Sequence, residues 1–508
     1  MTPKQIMKKE AFTRLVPNPN MTGIGEARTT SSGADPAYVY EVPAKQVMTQ
    51  ADFMREYDVN SHKINSLKYY PNSLMRDKNG KLIAKIKSRI AVAWQKRILV
   101  KRLATLTGNN INIRLSSSKR SKADQMLLND FREGWEDENI ENLFYQAFKS
   151  DGITGDVAVC FYLANGKMGW RIFSYDNGDV LYPHYDPWTG ELAVFGRRYA
   201  VKNADDKEAV EYLDVYDNTH YTRYKKVKEG LKGTLNVIKD TLGIDDGWEI
   251  DQEPTPHKFP TIPIAYDRYG EPFWANSQEC ADLYELTISQ LAENNQAYAL
   301  RILYALGGEV DLVTNVDGTP SMINSPDPNT KLGFLEPAES SKSFELQLNI
   351  LKDSIMKTSF ASETPELKSG SDLSSLTVRM LLMDSYQQAV LDAQHFQPFI
   401  DKVVALFKYA YGIQMGRPSD FEMLKVKAEL FPYVFMSETE QVSNILQLRS
   451  AGALSKQTAS EMAYELGYGV NSEYERIVAE EREELVGRQT TNPGSQNNVV
   501  NDARNQAN

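Results

Sequence analysis

Apolar residues recur at helical spacing through the second half of the chain. From Ala281 the apolar or small positions are Ala281, Tyr284, Ile288, Leu291, Asn295, Tyr298, Ile302 and Ala305, at alternating steps of three and four. Such a stripe is a seam for packing on another helix. Its one polar member, Asn295, suits either a register-fixing contact or an ordinary helix surface. At ~1.5 Å per residue the run makes a rod of about 45 Å, ended by Gly307-Gly308. A second helix carries Phe344, Leu348, Leu351 and Ile355 on one face. A third, of about 40 residues at helical periodicity, carries Leu382, Tyr386, Ala389, Ala393, Phe396, Ile400, Val403, Phe407 and Ala410, with Pro398 inside it as an expected kink. Between the second and third lies "FASETPELKSGSDLSSLTVRM", Phe360 to Met380, which is polar and rich in Ser. Long structureless stretches inside compact domains are uncommon and tend to be functional or disordered.

Elsewhere the period changes. "DVAVCFYLANGKMGWRIFSY" alternates on both sides of Asn165-Gly166, a strong hairpin signal. "DVLYPHYDPWTGELAVFGRRYAV" repeats the pattern around Pro187 to Gly190, and "AVEYLDVYDNTHYTRYKKV" around Asn218. Aromatics such as Trp170, Tyr175 and Tyr199 fit the packing of these hairpins better than ligand binding. "EVDLVTNVDGTPSMI" reads as a further hairpin around Asp317-Gly318, and "FEMLKVKAELF" as strand-like. Helices are expected from Met48 to Glu56, from Leu82 to Thr107 and from Lys122 to Lys149. The second of these carries Lys85, Lys87, Arg89, Lys96, Arg97, Lys101 and Arg102, suited to DNA phosphates, acidic neighbours or a solvated face. Capping boxes open two C-terminal helices at Ser437 and Ser472. Residues 1–45 read as an extended arm, 228–256 as an acidic insertion and 488–508 as a disordered tail. The fold class is α+β.

Composition narrows the function. The formal net charge is -11, which argues against a free-standing binder of nucleic acid or anionic membrane. A protein that lets DNA pass without gripping it remains compatible. Two cysteines, Cys160 and Cys280, make a disulfide framework an unsuitable reading, and both fit small core residues. "MTPKQIMKKEAFTRLV" lacks the apolar run of a signal peptide, and no stretch has the length and apolarity of a membrane span, so the protein is expected to be cytoplasmic when made.

No catalytic motif stands out. There is no Gly-rich phosphate loop. His62, His184, His220, His257 and His395 show no metal-ligand spacing. Asp245, Asp246, Glu249, Asp251 and Glu253 can be drawn as a two-metal nuclease centre, but they read as a loop without strands to hold them, and a solvated insertion fits better. His395, beside Phe396, reads as a core or interface residue.

The order of elements resembles the portal protein family of tailed bacteriophages, of siphophage type. Four stretches carry the resemblance, which spans about residues 80 to 485: "RLATLTGNNINIR", "HKFPTIPIAYDRYGEPFWANSQECADLYELTISQLAENNQA", "SGSDLSSLTVRMLLMDSYQQAV" and "NILQLRSAGALSKQTASEMAYELGYGVNSEYERI". In the second, Asn294 or Asn295 takes the place of the family's mid-helix Asn. Pro365 and the scarcity of bulky residues in the loop depart from the pattern, as do the N-terminal arm and the insertion.

The resemblance implies a ring of twelve subunits at one capsid vertex, through which double-stranded DNA enters and leaves. It implies a wing over 46–270 and in the second part of 377–435, which also holds the long kinked helix. It implies stem helices over 271–306 and 341–360, a clip over 307–340, a tunnel loop over 361–376 and a crown over 437–487. The loop would meet DNA through Ser362, Glu363, Thr364, Pro365, Glu366, Lys368, Ser369, Ser371 and Asp372, with Lys352 and Lys357 as further cations near it or as members of ion pairs. Short polar side chains, three carboxylates and a single lysine suit weak, sequence-blind contact, because many cations would grip phosphate tightly. The clip, with Asp317, Gly318 and Pro320, would dock the terminase large subunit and later the head-to-tail adaptor. Major capsid and scaffold proteins are the other implied partners, and no cofactor, metal or membrane is implied. Three rival readings are another phage head or adaptor protein, the nuclease, and a DNA-binding regulator drawn from the helix–turn–helix look of Val442 to Leu466.

Overall fold

The computed structural model describes residues 3–7, 14–16, 46–76, 81–116, 122–202, 209–227, 247–299, 302–306, 311–314, 320–324, 331–335, 341–361, 379–433, 438–465, 476–480 and 482. The chain divides into two units, residues 1–365 with 382–433, and residues 366–381 with 434–508. With 52% helix and 23% sheet the class is α+β, as the patterns predict.

The first unit opens with α1 (Pro3–Met7) and β1 (Arg14–Val16), which pairs antiparallel with β2 (Gln46–Met48). Part of the expected extended arm is therefore folded. Ile6 is fully buried against Tyr182, Leu213 and Trp248, and its carbonyl lies 2.8 Å from Nε2 of His184. Residues 17–45 lie outside the described residues. Helix α2 (Gln50–Tyr57) starts at a capping box of Thr49 and Asp52. Strands β3 (Ser73–Arg76) and β4 (Leu82–Lys85) pair, and α3 runs Trp94–Leu106. The basic helix expected from Leu82 thus begins twelve residues later, after a strand and an extended segment. Strand β5 (Asn112–Leu115) precedes α4 (Lys122–Asp137) and α5 (Ile140–Thr154). The single helix expected here is broken at Asn139, which takes the left-handed conformation that Asn tolerates. Glu141 ties the break down, accepting from Trp135 Nε1 at 3.0 Å and from the N–H of Ile111.

The hairpins fall where turn chemistry puts them. Strands β6 (Val157–Ala164) and β7 (Lys167–Phe173) turn through Asn165-Gly166, both at positive φ as the tight two-residue turn requires. Strands β8 (Val180–Tyr185), β9 (Leu192–Val201), β10 (Val210–Tyr216), β11 (His220–Lys226) and β12 (Trp248–Pro256) form an antiparallel sheet in the order β12-β11-β10-β9-β8. Strand β13 (Ile264–Asp267) completes a second sheet, β13-β6-β7. Residues 248–256 of the expected acidic insertion are thus an edge strand, while 228–246 lie outside the described residues.

Helix α6 (Gln278–Ala299) leads to β14 (Ile302–Leu306), β15 (Asp311–Thr314), β16 (Pro320–Asn324) and β17 (Lys331–Leu335), and α7 (Ser341–Thr358) follows. The rod expected through Ala305 therefore stops at Ala299, because Ile302 to Leu306 pair with β17. The hairpin expected around Asp317-Gly318 is present as β15 with β16, nested inside β14 with β17.

Helix α8 (Met383–Gln414, 32 residues, with Pro398 inside it) starts one residue past the predicted Leu382. Its predicted stripe from Ala389 to Ala410 is buried and forms the spine of the main core. Phe407 meets Phe131 and Trp135 edge-on at 5.1 and 5.4 Å, and Phe396 meets Phe148 at 4.3 Å. Only a glycine fits at 134, where a Cβ would lie 2.2 Å from the Tyr411 ring. The strand-like segment after Gly412 splits into α9 (Pro418–Met423) and β18 (Val426–Glu429), which pairs with β5.

The second unit contains α10 (Glu438–Ser450) and α11 (Lys456–Glu465). Gly452 turns between them at φ +71, and Ser455 caps α11 by accepting from the N–H of Thr458 at 3.0 Å. The caps expected at Ser437 and Ser472, and the tail 488–508, lie outside the described residues.

Candidate functional site

Helices α6 and α7 pack on each other at the base of the nested strands. Ala281 and Tyr284 of the seam pack on the main core, and beyond them a polar stripe holds α6 to the body. Glu285, Thr287 and Ser289 are buried, whereas Ile288 and Leu291 are half-buried and Asn295 is exposed. Glu285 accepts from the N–H of Val92 at 2.8 Å, Ser289 from that of Ile90 at 3.0 Å, and Glu293 from that of Ser88. Every fourth residue of the helix thus serves every second N–H of an extended strand. The spacings agree, since four helical residues advance about 6 Å and two extended ones about 6.6 Å. This ladder is why residues 86–93 are not helical: their backbone donors already have partners on α6.

Two further links fix the same helix. Nδ1 of His62 lies 2.6 Å from Oε1 of Glu285, both side chains almost fully buried. Lys63 reaches Asp282 at 2.5 Å. Burial pushes the His62 imidazole down, but the hydrogen bond and charge of Glu285 outweigh it, and the net shift is upward.

Helix α7 ends in a tight reversal. The N–H of Ala361 donates to the carbonyl of Met356 and that of Phe360 to Lys357, with Phe360 in the left-handed region at φ 55. Glycine is the usual residue there, so Phe360 stores backbone strain. Ser385 Oγ, in the first turn of α8, donates to the Phe360 carbonyl at 2.6 Å. The end of α7, where the polar stretch begins, and the first turn of α8 are thereby hydrogen-bonded to each other.

The first half of α8 is pinned by a buried ion pair. Arg102 Nη2 lies 2.7 Å from each oxygen of Asp392. Tyr269 donates to Asp392 at 3.1 Å and Gln388 at 2.9 Å, while the guanidinium lies 4.0 Å from the centre of the Phe273 ring. Sequence reasoning placed Arg102 among basic surface residues and passed over Asp392. The available signal was an acid set within the apolar stripe of Ala389, Ala393 and Phe396, where a charge needs a partner. His395 is more exposed than a core residue, and Asp267, 3.1 Å away, raises its pKa.

The predicted site residues are distributed as follows. Lys357 is exposed on α7, and Lys352 is half-buried on the same helix and has a partner within the protein. Pro320 opens β16 opposite Thr314. Ser362, Glu363, Thr364, Pro365, Glu366, Lys368, Ser369, Ser371 and Asp372, with Asp317 and Gly318, lie outside the described residues. Of the carboxylates weighed for a nuclease, Glu249, Asp251 and Glu253 ride on strand β12 rather than a loop, and Asp245 and Asp246 lie outside the described residues. Among the described residues no group of three or more His, Cys, Asp or Glu side chains is placed to hold a metal ion. No helix among them is long and apolar enough to cross a membrane.

Paired helices capped by nested hairpins, followed by a long core helix, are the arrangement of a structural scaffold. The family model of phage portal proteins, SPP1 Gp6-like, matches residues 45–486, and the chain belongs to that family. It is a structural protein of the bacteriophage capsid and its packaging apparatus, in a family that is not enzymatic. Membership implies an oligomeric ring at the capsid vertex that meets the capsid and the packaging machinery. No curated protein matches the chain.

Proposed function

We propose that twelve copies of this chain form the ring, and that double-stranded DNA passes through its centre during packaging and ejection. Helices α6 and α7 are the stem, and strands β14 to β17 are the clip that docks the terminase large subunit and then the head-to-tail adaptor. The segment from Ala361 to about residue 376 is the tunnel loop. Residues 437–487 are the crown facing the capsid interior, and major capsid and scaffold proteins meet the ring from outside. Assembly takes place in the host cytoplasm.

The observation that carries this reading is the closure at Phe360 and Ser385. It holds the ends of the described elements on either side of the polar stretch together, which supports reading that stretch as a loop rather than a linker. The half-exposed seam of Ile288 and Leu291 supports packing of stem helices on a neighbouring subunit. The net charge of -11 supports a channel that does not hold phosphate tightly. Lys357 and Lys368, with Lys352, are the cations proposed to lie near DNA.

The test has two parts. Native mass spectrometry with electron-microscope class averages is expected to show a ring of twelve with an open centre. Deleting residues 363–376 is expected to leave that ring intact and to abolish packaging or retention of DNA. Packaging at the normal level without the loop removes the tunnel-loop assignment, and a chain that stays monomeric even with scaffold and capsid protein removes the ring.

A further inference from the structure

The β8–β9 turn presents a tryptophan to solvent. Trp188 is 94% exposed, an unusual position for a side chain with this much apolar area. Its mount is rigid. One oxygen of Asp186 accepts from the N–H of Trp188 at 2.8 Å and of Thr189 at 3.0 Å. The Asp186 backbone exchanges hydrogen bonds with Gly190 and Glu191. A preorganised exposed indole loses little entropy on docking, which is what interface hot spots need.

The same unit holds a fitting receptacle. A cavity of about 350 Å³ opens beside the two sheets, lined by Phe161, Tyr162, Arg171, Tyr221, Arg223 and Lys258 among others. It offers aromatic surface for an indole and four cations around it, since Arg197 lines it too, beside its partner Asp214, and Trp is the best ring partner for a cation. Arg223 is held in place by Asp214 at 2.9 Å. Lys258 is exposed and sits at φ 65, a strained backbone that over-determined sites retain. The turn that carries Trp188 also carries Asp186 and Glu191, so the charges of knob and hole are opposite in sign.

Position settles the occupant. Trp188 lies at the β8 edge of the five-stranded sheet, and the cavity runs from Arg197 on β9 across β10 and β11 to Thr255 on β12, the opposite edge. A knob at one edge and a hole near the other make a head-to-tail contact, which closes into a ring when repeated by rotation. We infer that Trp188 of each subunit docks into the cavity beside Tyr221 and Arg223 of the next copy of this chain, as a wing-to-wing lock. The inference rests on the ring reading above.

The test uses the full chain. Trp188→Ala leaves the fold unchanged, since the side chain touches little, and this is checked by its thermal melt. It is expected to weaken each subunit contact by about 30-fold or more, seen by native mass spectrometry as loss of rings at concentrations where the unaltered protein forms them. A second variant keeps the indole. Thr189→Cys with Thr255→Cys, treated with a short bis-maleimide, is expected to give a ladder of linked subunits, and Thr189→Cys alone is not. Undiminished rings from Trp188→Ala overturn the lock. Rings lost without a ladder place Trp188 on some other surface and overturn the receptacle. Absence of rings from the unaltered protein, even with scaffold and capsid protein present, strikes the ring reading itself and the lock with it.

Discussion

Asp392→Ala is expected to lower the unfolding free energy of the first unit by about 3 to 5 kcal/mol, the usual cost of removing one member of a buried ion pair. Arg102 and Asp392 are 9% and 2% exposed, and the guanidinium has no water to turn to once the carboxylate is gone. The Tyr269 hydroxyl and the Gln388 amide lose an acceptor in the same step. Burial works against the charge on Arg102, and in the parent Asp392, with Tyr269, more than offsets it; without the carboxylate the guanidinium, too basic to lose its proton, stays charged and uncompensated. Replacing both partners with apolar residues, Arg102→Met with Asp392→Leu, is expected to recover most of the loss, because the penalty comes from the orphaned charge rather than from lost attraction. Urea titration at fixed protein concentration, followed by tryptophan fluorescence, measures it. All six tryptophans lie in the first unit, so the signal reports on that unit alone. A single variant within about 1 kcal/mol of the parent would show that the pair is not the pin described.

Glu285→Ala is expected to cost a similar amount, about 3 to 5 kcal/mol, and to loosen α6 from the body. One carboxylate oxygen serves both the His62 imidazole and the N–H of Val92, so its removal orphans one buried and one half-buried group. The pair also carries a pH signature. The folded pKa of His62 lies above its ordinary value of 6.5. A raised pKa means that the folded state holds its proton more tightly than the unfolded chain does. The resulting stability is fully present below about pH 6.5 and is lost as pH rises through the elevated folded value. Glu285→Gln keeps the shape and removes the charge. Its deficit against the parent is therefore expected to be largest in mild acid and to shrink as pH rises past that value. A deficit that grows with pH in this window would reverse the sign and place the proton elsewhere.

Much of the fold was legible where its cause is local. Asn165-Gly166 set its hairpin because both residues must turn at positive φ, and strands pair on either side of the turn residues expected at Pro187 to Gly190, Asn218 and Asp317-Gly318. The stripe from Ala389 to Ala410 fixed the core face of α8, since helical spacing needs no knowledge of the partner. The site was less legible. The Ser-rich stretch gave no sign of the bond from Ser385 to Phe360 that ties the elements beside it together, and the basic residues after Leu82 announced a cationic helix that starts only at Trp94, after a strand and an extended segment, and whose Arg102 is buried.

By itself, then, the sequence determined the α+β class, the hairpin turns, the spine of the core and the portal family, all written in near neighbours or in the order of elements. Tertiary structure alone decided where α6 stops, that 86–93 is extended, that β12 closes an edge, and which charges are buried. Those outcomes depend on partners far along the chain. Val92 meets Glu285 across 193 residues and Arg102 meets Asp392 across 290. No local pattern encodes which distant side chain will satisfy a backbone N–H or neutralise a buried charge. Only the packed core, by excluding water, makes those unions compulsory.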